Sequence, residues 1–495
     1  LDGLVALPTI VSVTGVTLDR TAVNLTTGGI VQLAATVNPA NATNRAVTWS
    51  SSDENVVTVS TNGLVTAHHA GTAVITVTTI DGGKAASSVI TVTSSTSTSP
   101  TTPANPTPSA PQVEVGNGKV TVHPKADDNR TAQIALKPED VRKALETAAG
   151  NSLTISVQPG NGVDAVYVDI PLQDLAENGK VHVITVETGL GAVTIDSSLL
   201  KEQGDSNAAT LRLSVMKVDS TTLPANTQTQ LNGADVIHVA LSLDGTEVSR
   251  IQGNEVQVSI PYTLKAGENP NKVVVYSVND NGQLEVVKNG KYDPATGSVV
   301  FKAKQFNSYA AAYADVGFSD VGETHWAKNA IEALAARGAL SGVGGGQFNP
   351  NGNVTRAEFI QMLMNVFELI DSSAQSSFPD VKEGAWYAKA IASAKAQGII
   401  SGKSDGTFGV NDPITRQDMA VMVFKAAKLL GIDLNGYQTI AFRDASAIAG
   451  YATESVESMA KAGIISGMGN GMFAPNEQST RAEAASILFK LFNLQ

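Results

Sequence analysis

Apolar residues in the carboxyl-terminal third of the chain recur at intervals of three and four, which is the spacing of amphipathic helices. One such stripe lies over 326–336 and is followed by Gly338, and a second runs over 359–367. A glycine directly after an apolar stripe is a signal that ends a helix. The pattern therefore predicts a first helix over about 326–336 and a second helix that begins at Thr355.

This two-helix pattern is written three times over 318–495, with a period of about 60 residues. In every copy a phenylalanine stands eight residues before an arginine. The opening acids of the three repeats are Asp320, Asp380 and Asp444, and the arginines are Arg356, Arg416 and Arg481. Landmarks that keep one register through three copies indicate a repeat array.

Each arginine is the second residue of a tetrapeptide with the pattern of a capping box. Thr355 can accept from the backbone N–H of Glu358, whose side chain can reach back to the Thr355 N–H. The box does not explain the arginine, because a cation in the first turn of a helix is mildly unfavourable. Two hypotheses stay open. The arginine and the free N–H groups of the helix start form an anion-binding corner, or the arginine pairs with the acid of its own repeat and only staples that repeat.

The repeats resemble S-layer homology domains, which are bacterial modules usually found in threes at one end of surface proteins. The matching residues are the openings at 318–321 and 378–381, Trp326, Trp386, the Ile-Ser-Gly elements and the arginine tetrapeptides. The resemblance implies a helical pseudo-trimer whose inter-repeat grooves bind a secondary cell-wall polysaccharide non-covalently, often through pyruvylated N-acetylmannosamine. The binding residues that it implies are Arg356, Arg416, Arg481, Asp320, Asp380, Asp444, Trp326, Trp386 and Tyr451.

The three repeats depart from one another at positions in these implied grooves. The third opens with Phe-Arg-Asp-Ala, and Tyr451 stands where the first two have tryptophan. The second has Gln417 and Asp418 in place of Ala-Glu, and Val410 in place of proline. The chemistry still fits, because a pyruvate ketal offers a carboxylate to a guanidinium and a sugar ring offers an apolar face to an aromatic ring. We therefore expect binding, but not equal use of the three grooves.

Residues 10–93 alternate apolar and polar positions in short runs separated by turn sequences. This pattern predicts a β-sandwich of under about 100 residues with Trp49 in its core. The segment closely resembles the group 2 bacterial immunoglobulin-like domain, and the residues that carry the resemblance lie at 37–39, 47–52, 61–67 and 71–75. In surface proteins this family serves as a spacer and sometimes as an adhesin module. We expect a spacer, with the adhesin as the alternative.

The remaining segments are assigned by composition, and together they predict a multidomain chain. Residues 1–9 are an apolar lead-in, and 94–111 form a Ser/Thr/Pro linker. Residues 112–316 alternate like strands around one predicted helix at 137–149, so we expect a mostly-β spacer region, with two subdomains divided near 200–230. The all-α repeats are expected over 317–371, 377–433 and 441–495.

Charge and cysteine content narrow the class of partner. The chain has 495 residues and no cysteine, so it cannot form a disulfide framework. Its net charge of −12 argues against nucleic acid or an anionic membrane as a partner, because like charges repel. The repeat region carries 14 Lys and Arg against 17 Asp and Glu, so any attraction to an acidic polymer is local. No apolar run approaches the roughly 20 residues of a membrane span. The chain starts at Leu1 without a signal peptide, and we expect a fragment or a processed form of an exported protein.

No catalytic constellation stands out, and we predict that this chain is not an enzyme. Its six histidines are scattered and cysteine is absent, so we expect no metal site and no cofactor. The glycines at 344–346 have no following lysine, which argues against a phosphate-binding loop. No strand leads into a Gly-x-Ser-x-Gly nucleophile turn.

The sequence therefore predicts an extracellular anchor at the cell surface of a Gram-positive bacterium. Its expected partner is a secondary cell-wall polysaccharide linked to peptidoglycan, and self-association in a surface layer is a further expectation. Two alternatives stay open. The chain is the C-terminal part of a wall-attached carbohydrate-active enzyme, such as a glycoside hydrolase, with a site upstream or within 112–316, or it is an adhesin that acts through the immunoglobulin-like domain.

Overall fold

The computed structural model assigns the chain to two compact units. The first holds 1–256 with 278–284 and 304–309, and the second holds 257–277, 285–303 and 310–495. The predicted lead-in at 1–9 and linker at 94–111 lie outside the described residues. The residues described are 11–26, 30–60, 63–93, 112–148, 150–160, 162–172, 183–199, 209–248, 251, 256–279, 281–375, 378–435 and 441–495.

The first described part of the chain is all β, as its alternating pattern predicts. Strand β8 pairs antiparallel with both β5 and β9, and β9 pairs parallel with β2. Strand β7 joins β3 and β6 in a second sheet, and β1 pairs with β4. The strands are β1 Gly15–Leu18, β2 Ala22–Thr26, β3 Ile30–Gln32, β4 Ala35–Asn38, β5 Val47–Ser51, β6 Val57–Val59, β7 Leu64–Ala67, β8 Gly71–Thr79 and β9 Ala85–Thr93.

Trp49 on β5 packs against the core of these sheets, although its own side chain is only partly buried. The buried residues beneath it include Leu33 and Ile75. The indole ring also covers Gly63, where an added Cβ would lie 2.7 Å from Trp49 Cζ2 and 2.6 Å from the Leu33 carbonyl oxygen. Gly63 has a φ of 86°, in the left-handed region that favours glycine. Both the space and the backbone conformation therefore require glycine at this position.

The next part of the chain is mostly β, and its described residues also form two α-helices. Strand β14 pairs antiparallel with β17 along its whole length, and β17 pairs in the same way with β18. The elements are β10 Gln112–Gly116, β11 Lys119–His123, β12 Thr131–Ala135, α1 Pro138–Glu146, β13 Ser152–Val157, β14 Ala165–Pro171, β15 Val183–Glu187, β16 Ala192–Asp196, β17 Thr210–Val218, α2 Ala225–Leu231, β18 Val236–Leu243 and β19 Thr246–Glu247. The expected division near 200–230 is wrong, because β14, β17 and β18 form one continuous ladder across it. The boundary between the compact units falls after Val256 instead.

Local turn and cap signals account for two differences from the sequence expectation in this region. The alternation over 113–122 is not one strand, because Asn117 and Gly118 adopt φ values of 51° and 73° and turn β10 back onto β11. Helix α2 is absent from the sequence expectation. Its signals are Pro224 at its start and Asn232, whose φ of 47° ends it in the left-handed conformation.

The second compact unit combines the last strands of the middle region with the helical repeats. Strand β24 lies between β20 and β23, and β21 lies between β25 and β22. These strands are β20 Val256–Pro261, β21 Val273–Val278, β22 Leu284–Val287, β23 Lys291–Asp293, β24 Ser298–Ala303 and β25 Ser308–Tyr313. The repeat helices are α3 Lys328–Ala336 and α4 Arg356–Val366, α5 Ala388–Ala396 and α6 Arg416–Leu429, and α7 Thr453–Lys461 and α8 Arg481–Leu494. The prediction of two helices in each repeat is confirmed.

Each repeat is built around a pair of phenylalanines. The inner ring of each pair is fully buried and packs on the opening phenylalanine of its repeat, with ring centroids 5.3, 5.7 and 5.3 Å apart for Phe348, Phe408 and Phe473. The opening ring in turn lies against the glycine of the Ser-Gly pair. A Cβ on Gly402 would lie 2.4 Å from the Phe378 ring. The repeated Ser-Gly pair is therefore a packing requirement.

Backbone hydrogen bonds join the three repeats into a closed ring. Val354 N donates to the Ser479 carbonyl, Ser479 N to the Ile414 carbonyl and Ile414 N to the Val354 carbonyl, at distances of 2.9, 3.0 and 3.0 Å. The second helix of each repeat packs on the first helix of the following one, in the pairs α4 with α5, α6 with α7 and α8 with α3. Because the third repeat returns to the first, no repeat can detach without breaking two interfaces.

A buried arginine joins this ring to the preceding strands within the second unit. Arg337 at the end of α3 donates to the backbone carbonyls of Asn271 and Gly290, at 2.6 and 2.8 Å. Its guanidinium lies over the Phe492 ring, 5.1 Å from the centroid. Burial lowers the pKa of Arg337 to about 10. The second and third repeats have Gln397 and Ala462 at the matching helix end, so this joint belongs to the first repeat alone.

Replacing Arg337 should loosen the ring from the strands. We expect Arg337→Gln to lower the free energy of unfolding by about 2–4 kcal/mol, because two buried carbonyls lose their donor. Denaturant unfolding followed by far-ultraviolet circular dichroism measures it. Arg20→Gln, at an exposed arginine in the first unit, is the control and should change the value by less than about 0.5 kcal/mol. Equal stability of Arg337→Gln and wild type would show that the joint does not stabilise the unit.

Candidate functional site

The opening acid of each repeat holds the loop that carries the buried phenylalanine. Asp320 accepts from the backbone N–H groups of Phe348 and Asn349, at 2.8 and 2.7 Å. Asp444 does the same for Phe473 and Ala474, at 2.7 and 2.8 Å. The third acid, Asp380, accepts from Phe408, Gly409 and Val410.

These hydrogen bonds set the charge state of the three acids and the conformation of the loop. Partial burial by itself would raise the pKa of Asp380, but the donated backbone N–H groups outweigh it and hold the pKa below its ordinary value of 3.8. Burial also raises the pKa values of Asp320 and Asp444, but donated backbone N–H groups, together with the charges of Arg481 and Arg416, outweigh it and lower them. The residue after each buried phenylalanine is in the left-handed region, with φ values of 59°, 79° and 57° at Asn349, Gly409 and Ala474.

The repeated arginines cross from one repeat to the next. Each is buried, and its Nε donates to the backbone carbonyl of the phenylalanine that the next repeat's acid holds. The bonds, all 2.9 Å long, run from Arg356 to Phe408, from Arg416 to Phe473 and from Arg481 to Phe348. Each guanidinium also lies over the ring of that phenylalanine, 4.9, 5.3 and 4.7 Å from the centroid. These side chains are therefore buried between repeats and do not lie on the outer surface of their helices.

The carboxylate that pairs with each arginine also belongs to the following repeat. It is the fourth residue of that repeat's tetrapeptide. The Nη1 distances are 3.1 Å from Arg356 to Asp418, 2.8 Å from Arg416 to Glu483 and 3.4 Å from Arg481 to Glu358. The hypothesis that each arginine pairs with the acid of its own repeat is therefore wrong. That acid is used to hold backbone N–H groups, while the arginine binds between repeats.

The N–H groups at the start of each second helix are not free. The amides of Arg356, Arg416 and Arg481 donate to loop carbonyls of the following repeat, at 2.9, 3.0 and 2.9 Å. The next amide along each helix does the same, and the third donates to the threonine cap. The hypothesis of an anion-binding corner is therefore wrong where it relies on free backbone N–H groups. A ligand in these grooves would therefore contact side chains and not the backbone N–H groups of the helix start.

The capping box is complete in two repeats and altered in the second. Thr355 with Glu358 and Thr480 with Glu483 make both reciprocal bonds. In the second repeat Thr415 accepts from the Asp418 amide, but the shorter Asp418 side chain does not reach back. Its Oδ1 instead accepts from the Tyr451 hydroxyl at 2.8 Å, while Oδ2 faces Arg356.

Three aromatic side chains stand exposed beside these pairs. Trp326, Trp386 and Tyr451 are 64%, 61% and 62% exposed, and each lies two residues before the first helix of its repeat. The Tyr451 hydroxyl donates a hydrogen bond to Asp418, which also pairs with Arg356, so the Tyr451 ring borders an inter-repeat groove. Trp386 and Trp326 hold the same position in their repeats, just before α5 and α3, and these helices pack on α4 and α8. A large exposed aromatic next to a charged pair is an arrangement suited to sugar recognition.

Several residues of the grooves are absent from the predicted set. Glu358, Asp418 and Glu483 are the partners of the arginines, although their sequence signal is a helix cap. Gln417 is buried and bridges Asn476 to the Ala449 amide, at 2.9 and 3.0 Å. The signal in the sequence is that the first and third repeats have alanine where the second has Gln417. Among the residues that the structure describes, no group of His, Asp and Glu is arranged to hold a metal ion, and no helix is long and apolar enough to cross a membrane.

Removing one opening carboxylate should weaken the ring in a pH-dependent way. We expect Asp380→Asn to cost about 1–2 kcal/mol of unfolding free energy at neutral pH, a range reduced for partial exposure. Because the folded pKa lies below the unfolded one, this stabilisation is present above the ordinary carboxyl pKa and is lost as the pH falls through the folded value. The difference between wild type and Asp380→Asn should therefore shrink from about pH 6 to about pH 3, as measured by urea unfolding. A constant difference, or the same change in the exposed control Glu457→Gln, would contradict this account.

Family models match both parts of the chain that carry repeat or strand signatures. The model described as bacterial Ig-like domain (group 2) matches residues 12–90. The model described as S-layer homology domain matches residues 317–360, 377–420 and 441–485. Both resemblances drawn from the sequence are confirmed.

Curated relatives include enzymes and surface-layer proteins. An amylopullulanase of Thermoanaerobacterium thermosulfurigenes is 32% identical over 369 residues, which cover 70% of this chain and 19% of the relative. The exoglucanase XynX of Acetivibrio thermocellus is 38% identical over 178 residues, 36% of this chain and 16% of the relative. An S-layer protein of Bacillus thuringiensis subsp. finitimus is 33% identical over 180 residues, 36% of this chain and 22% of the relative. The chain thus spans about a fifth of the length of these relatives. By these family matches, the chain carries a group 2 bacterial immunoglobulin-like domain followed by three S-layer homology domains.

Proposed function

We propose that this chain anchors a surface or S-layer protein non-covalently to the Gram-positive cell wall, through a secondary cell-wall polysaccharide bearing a pyruvylated sugar. The S-layer homology domains and the S-layer relatives support cell-wall anchoring and indicate a cell-surface protein. The observation that carries the polysaccharide as partner is the exposed aromatic ring beside each inter-repeat charged pair. Such rings are otherwise unfavourable in water, and three at one repeat position argue for a bound ligand.

Each side chain would have a distinct role in the groove. An indole or phenol ring would pack on the apolar face of a sugar, and the outer guanidinium nitrogens would bind its carboxylate. Asp320, Asp380 and Asp444 would act indirectly, because their carboxylates already accept backbone N–H groups and hold the loop on which the arginine rests. The ligand-binding residues are thus Trp326, Trp386, Tyr451 and the three arginines, with the three acids as positioning residues.

The β regions and the helical repeats would have different functions, spacing and anchoring. We propose that the immunoglobulin-like domain is a two-layer sandwich that, with the mostly-β region, spaces the anchored protein from the wall. Separate sheets around one buried cluster support this. The repeats would form a pseudo-trimer, and their closed hydrogen-bond ring supports it. Self-association in a surface layer is a further proposal, supported by the S-layer relatives.

A second candidate function is that this chain is the C-terminal part of a wall-attached carbohydrate-active enzyme. Relatives named amylopullulanase and exoglucanase favour it. Release of reducing sugar from starch, pullulan or cellulose by the purified chain would place the activity within these residues. No release under conditions in which a control amylase is active would leave the chain as the anchoring part only.

Binding of the full chain to purified Gram-positive walls tests the proposed anchor. We expect binding to walls that keep their secondary polysaccharide and loss of binding to walls stripped of it. The combined variant Trp326→Ala, Trp386→Ala and Tyr451→Ala should bind at least about tenfold more weakly, since aromatic contacts dominate such interfaces. These rings are exposed, so the variant should keep its unfolding temperature, whereas replacing the buried arginines would also perturb the fold.

Ile80→Ala is the matched control, because Ile80 is an equally exposed apolar residue in the immunoglobulin-like domain. It should bind walls as wild type does. Binding that survives removal of the polysaccharide, or a combined variant that binds as well as wild type, would overturn the proposal.

A further inference from the structure

One lysine of the second unit is half-buried without a partner for its charge. Lys291 is the first residue of β23, and its Nζ lies over the Phe492 ring of α8, 4.9 Å from the centroid. Among the described residues, this Nζ makes no hydrogen bond and no ion pair. The fold therefore removes part of the water around the ammonium without supplying acceptors in its place.

The charges that act on Lys291 are also positive. The Arg337 guanidinium lies over the same phenylalanine ring, 5.1 Å from its centroid, and Lys302 on β24 is the other charge in electrostatic range. The hydrogen bonds of Arg337 go to backbone carbonyls. The acid on the same strand, Asp293, accepts from the turn that follows β23. Within the described ranges, neither Lys291 nor Arg337 is therefore paired with a carboxylate.

A second lysine of the same unit shows how this fold compensates a buried ammonium. The Lys272 side chain is 7% exposed, and its Nζ lies 3.3 Å from Asp315 and 3.4 Å from Glu332. Burial alone would lower the pKa of Lys272, but these carboxylates outweigh it and raise the pKa above its ordinary value. At Lys291, burial and the two neighbouring cations act in the same direction and lower the pKa to about 8. A substantial fraction of Lys291 is thus a neutral amine with a free lone pair near neutral pH.

The carboxyl-terminal end of α8 compensates these cations only in part. Phe492 lies in the last turn of this helix, where the helix dipole carries about half a negative charge. That partial charge stands next to the two cations Arg337 and Lys291, which share the phenylalanine ring. A full negative charge at Lys291 would therefore complete the compensation.

We propose that Lys291 is a modification site that takes up carbon dioxide as a carbamate. The Nζ lone pair attacks the carbon of CO2, an N–C bond forms, and one electron pair of a C=O bond moves to oxygen. Nζ releases one proton to water, so R–NH2 and CO2 give R–NH–COO− and H+, and nothing is oxidised or reduced. The product places an anion beside Arg337 and Lys302, which stabilises it. The reaction uses CO2 and no polysaccharide, so it is independent of the proposed anchoring.

Trapping identifies the modified lysine in the unaltered chain. The full chain is equilibrated with isotope-labelled bicarbonate at about pH 8, close to the pKa of Lys291, and carbamates are esterified with triethyloxonium before peptide mass spectrometry. We expect the labelled ester at Lys291, with an occupancy at least roughly tenfold above that of the exposed Lys265, because far more of the Lys291 amine is neutral. Labelling spread evenly over the lysines, or absent from Lys291, would overturn the assignment.

Lys291→Arg separates the modification from the cation itself. Arginine keeps the positive charge and the contact with the Phe492 ring, but it has no neutral amine to react. Bicarbonate should raise the unfolding temperature of wild type by about 2 °C or more relative to chloride at the same ionic strength, and should leave Lys291→Arg unchanged. Lys265→Gln is the matched control and should respond as wild type does. A bicarbonate effect of equal size in Lys291→Arg and wild type would contradict the proposal.

Lys302→Gln tests the contribution of the neighbouring charge. Lys302 is exposed, so its replacement should leave the fold intact. Loss of this cation should lower the neutral fraction of Lys291 and remove a partner of the carbamate. The trapped fraction should then fall by roughly twofold or more, and the midpoint of labelling against pH should move upward. A trapped fraction and a midpoint that both match wild type would contradict the role given to the surrounding cations.

Discussion

A guanidinium that leaves water must have its donors satisfied, and this requirement organises the repeat region. Each of Arg356, Arg416 and Arg481 is buried with its charge facing a carboxylate and its Nε on a backbone carbonyl of the following repeat. An uncompensated buried charge costs several kcal/mol, so each arginine needs the repeat next to it. Because the third arginine returns to the first repeat, the need is met only when all three repeats close.

The opening acids hold the loops on which these contacts between repeats depend. An arginine can use a backbone carbonyl only if the loop that carries it is held in place, and Asp320, Asp380 and Asp444 hold it through paired backbone N–H groups. Acid and arginine therefore act on the two sides of one phenylalanine, the acid on its N–H and the arginine on its carbonyl. The proposed binding and the folding of the ring share these residues, so variants of the exposed aromatic rings, rather than of the charged residues, separate the two experimentally.

The same arrangement explains why the grooves are unequal. A symmetric ring would give each arginine the same three partners. Among the described residues, Arg416 and Arg481 also donate through Nη2 to the carbonyls of Ser466 and Ser341, whereas Arg356 makes only the bonds from Nε and Nη1. The shorter Asp418 gives up half of the capping box and takes the Tyr451 hydroxyl instead. Small departures in sequence thus alter a groove without altering the ring, because the ring depends on Nε and on the helix amides.

Much of this molecule could be predicted from sequence by local rules. Apolar spacing indicated two helices in each repeat, threonine marked their starts, and alternating strands indicated the β regions, because these features depend on residues close together in the chain. The three arginines were also identified as positions that the capping box does not explain, and the three opening acids as landmarks that recur in each repeat. Helix α2 and the turn at Asn117 had usable signals, in Pro224 and in the Asn-Gly pair. The division expected near 200–230 was wrong because pairing of β14 with β17 joins segments distant in sequence.

What only the tertiary structure decided is which groups face one another. The sequence by itself determined that an acid and an arginine recur in each repeat, and the resemblance supplied a groove between repeats. Pairing within a repeat and pairing between repeats are equally compatible with that periodicity, since a repeat sequence is the same in either case. Only three-dimensional closure of the ring makes Asp418, Glu483 and Glu358 the partners. For the same reason, no residue pattern near the arginines shows that Arg416 and Arg481 donate through Nη2 to a serine carbonyl.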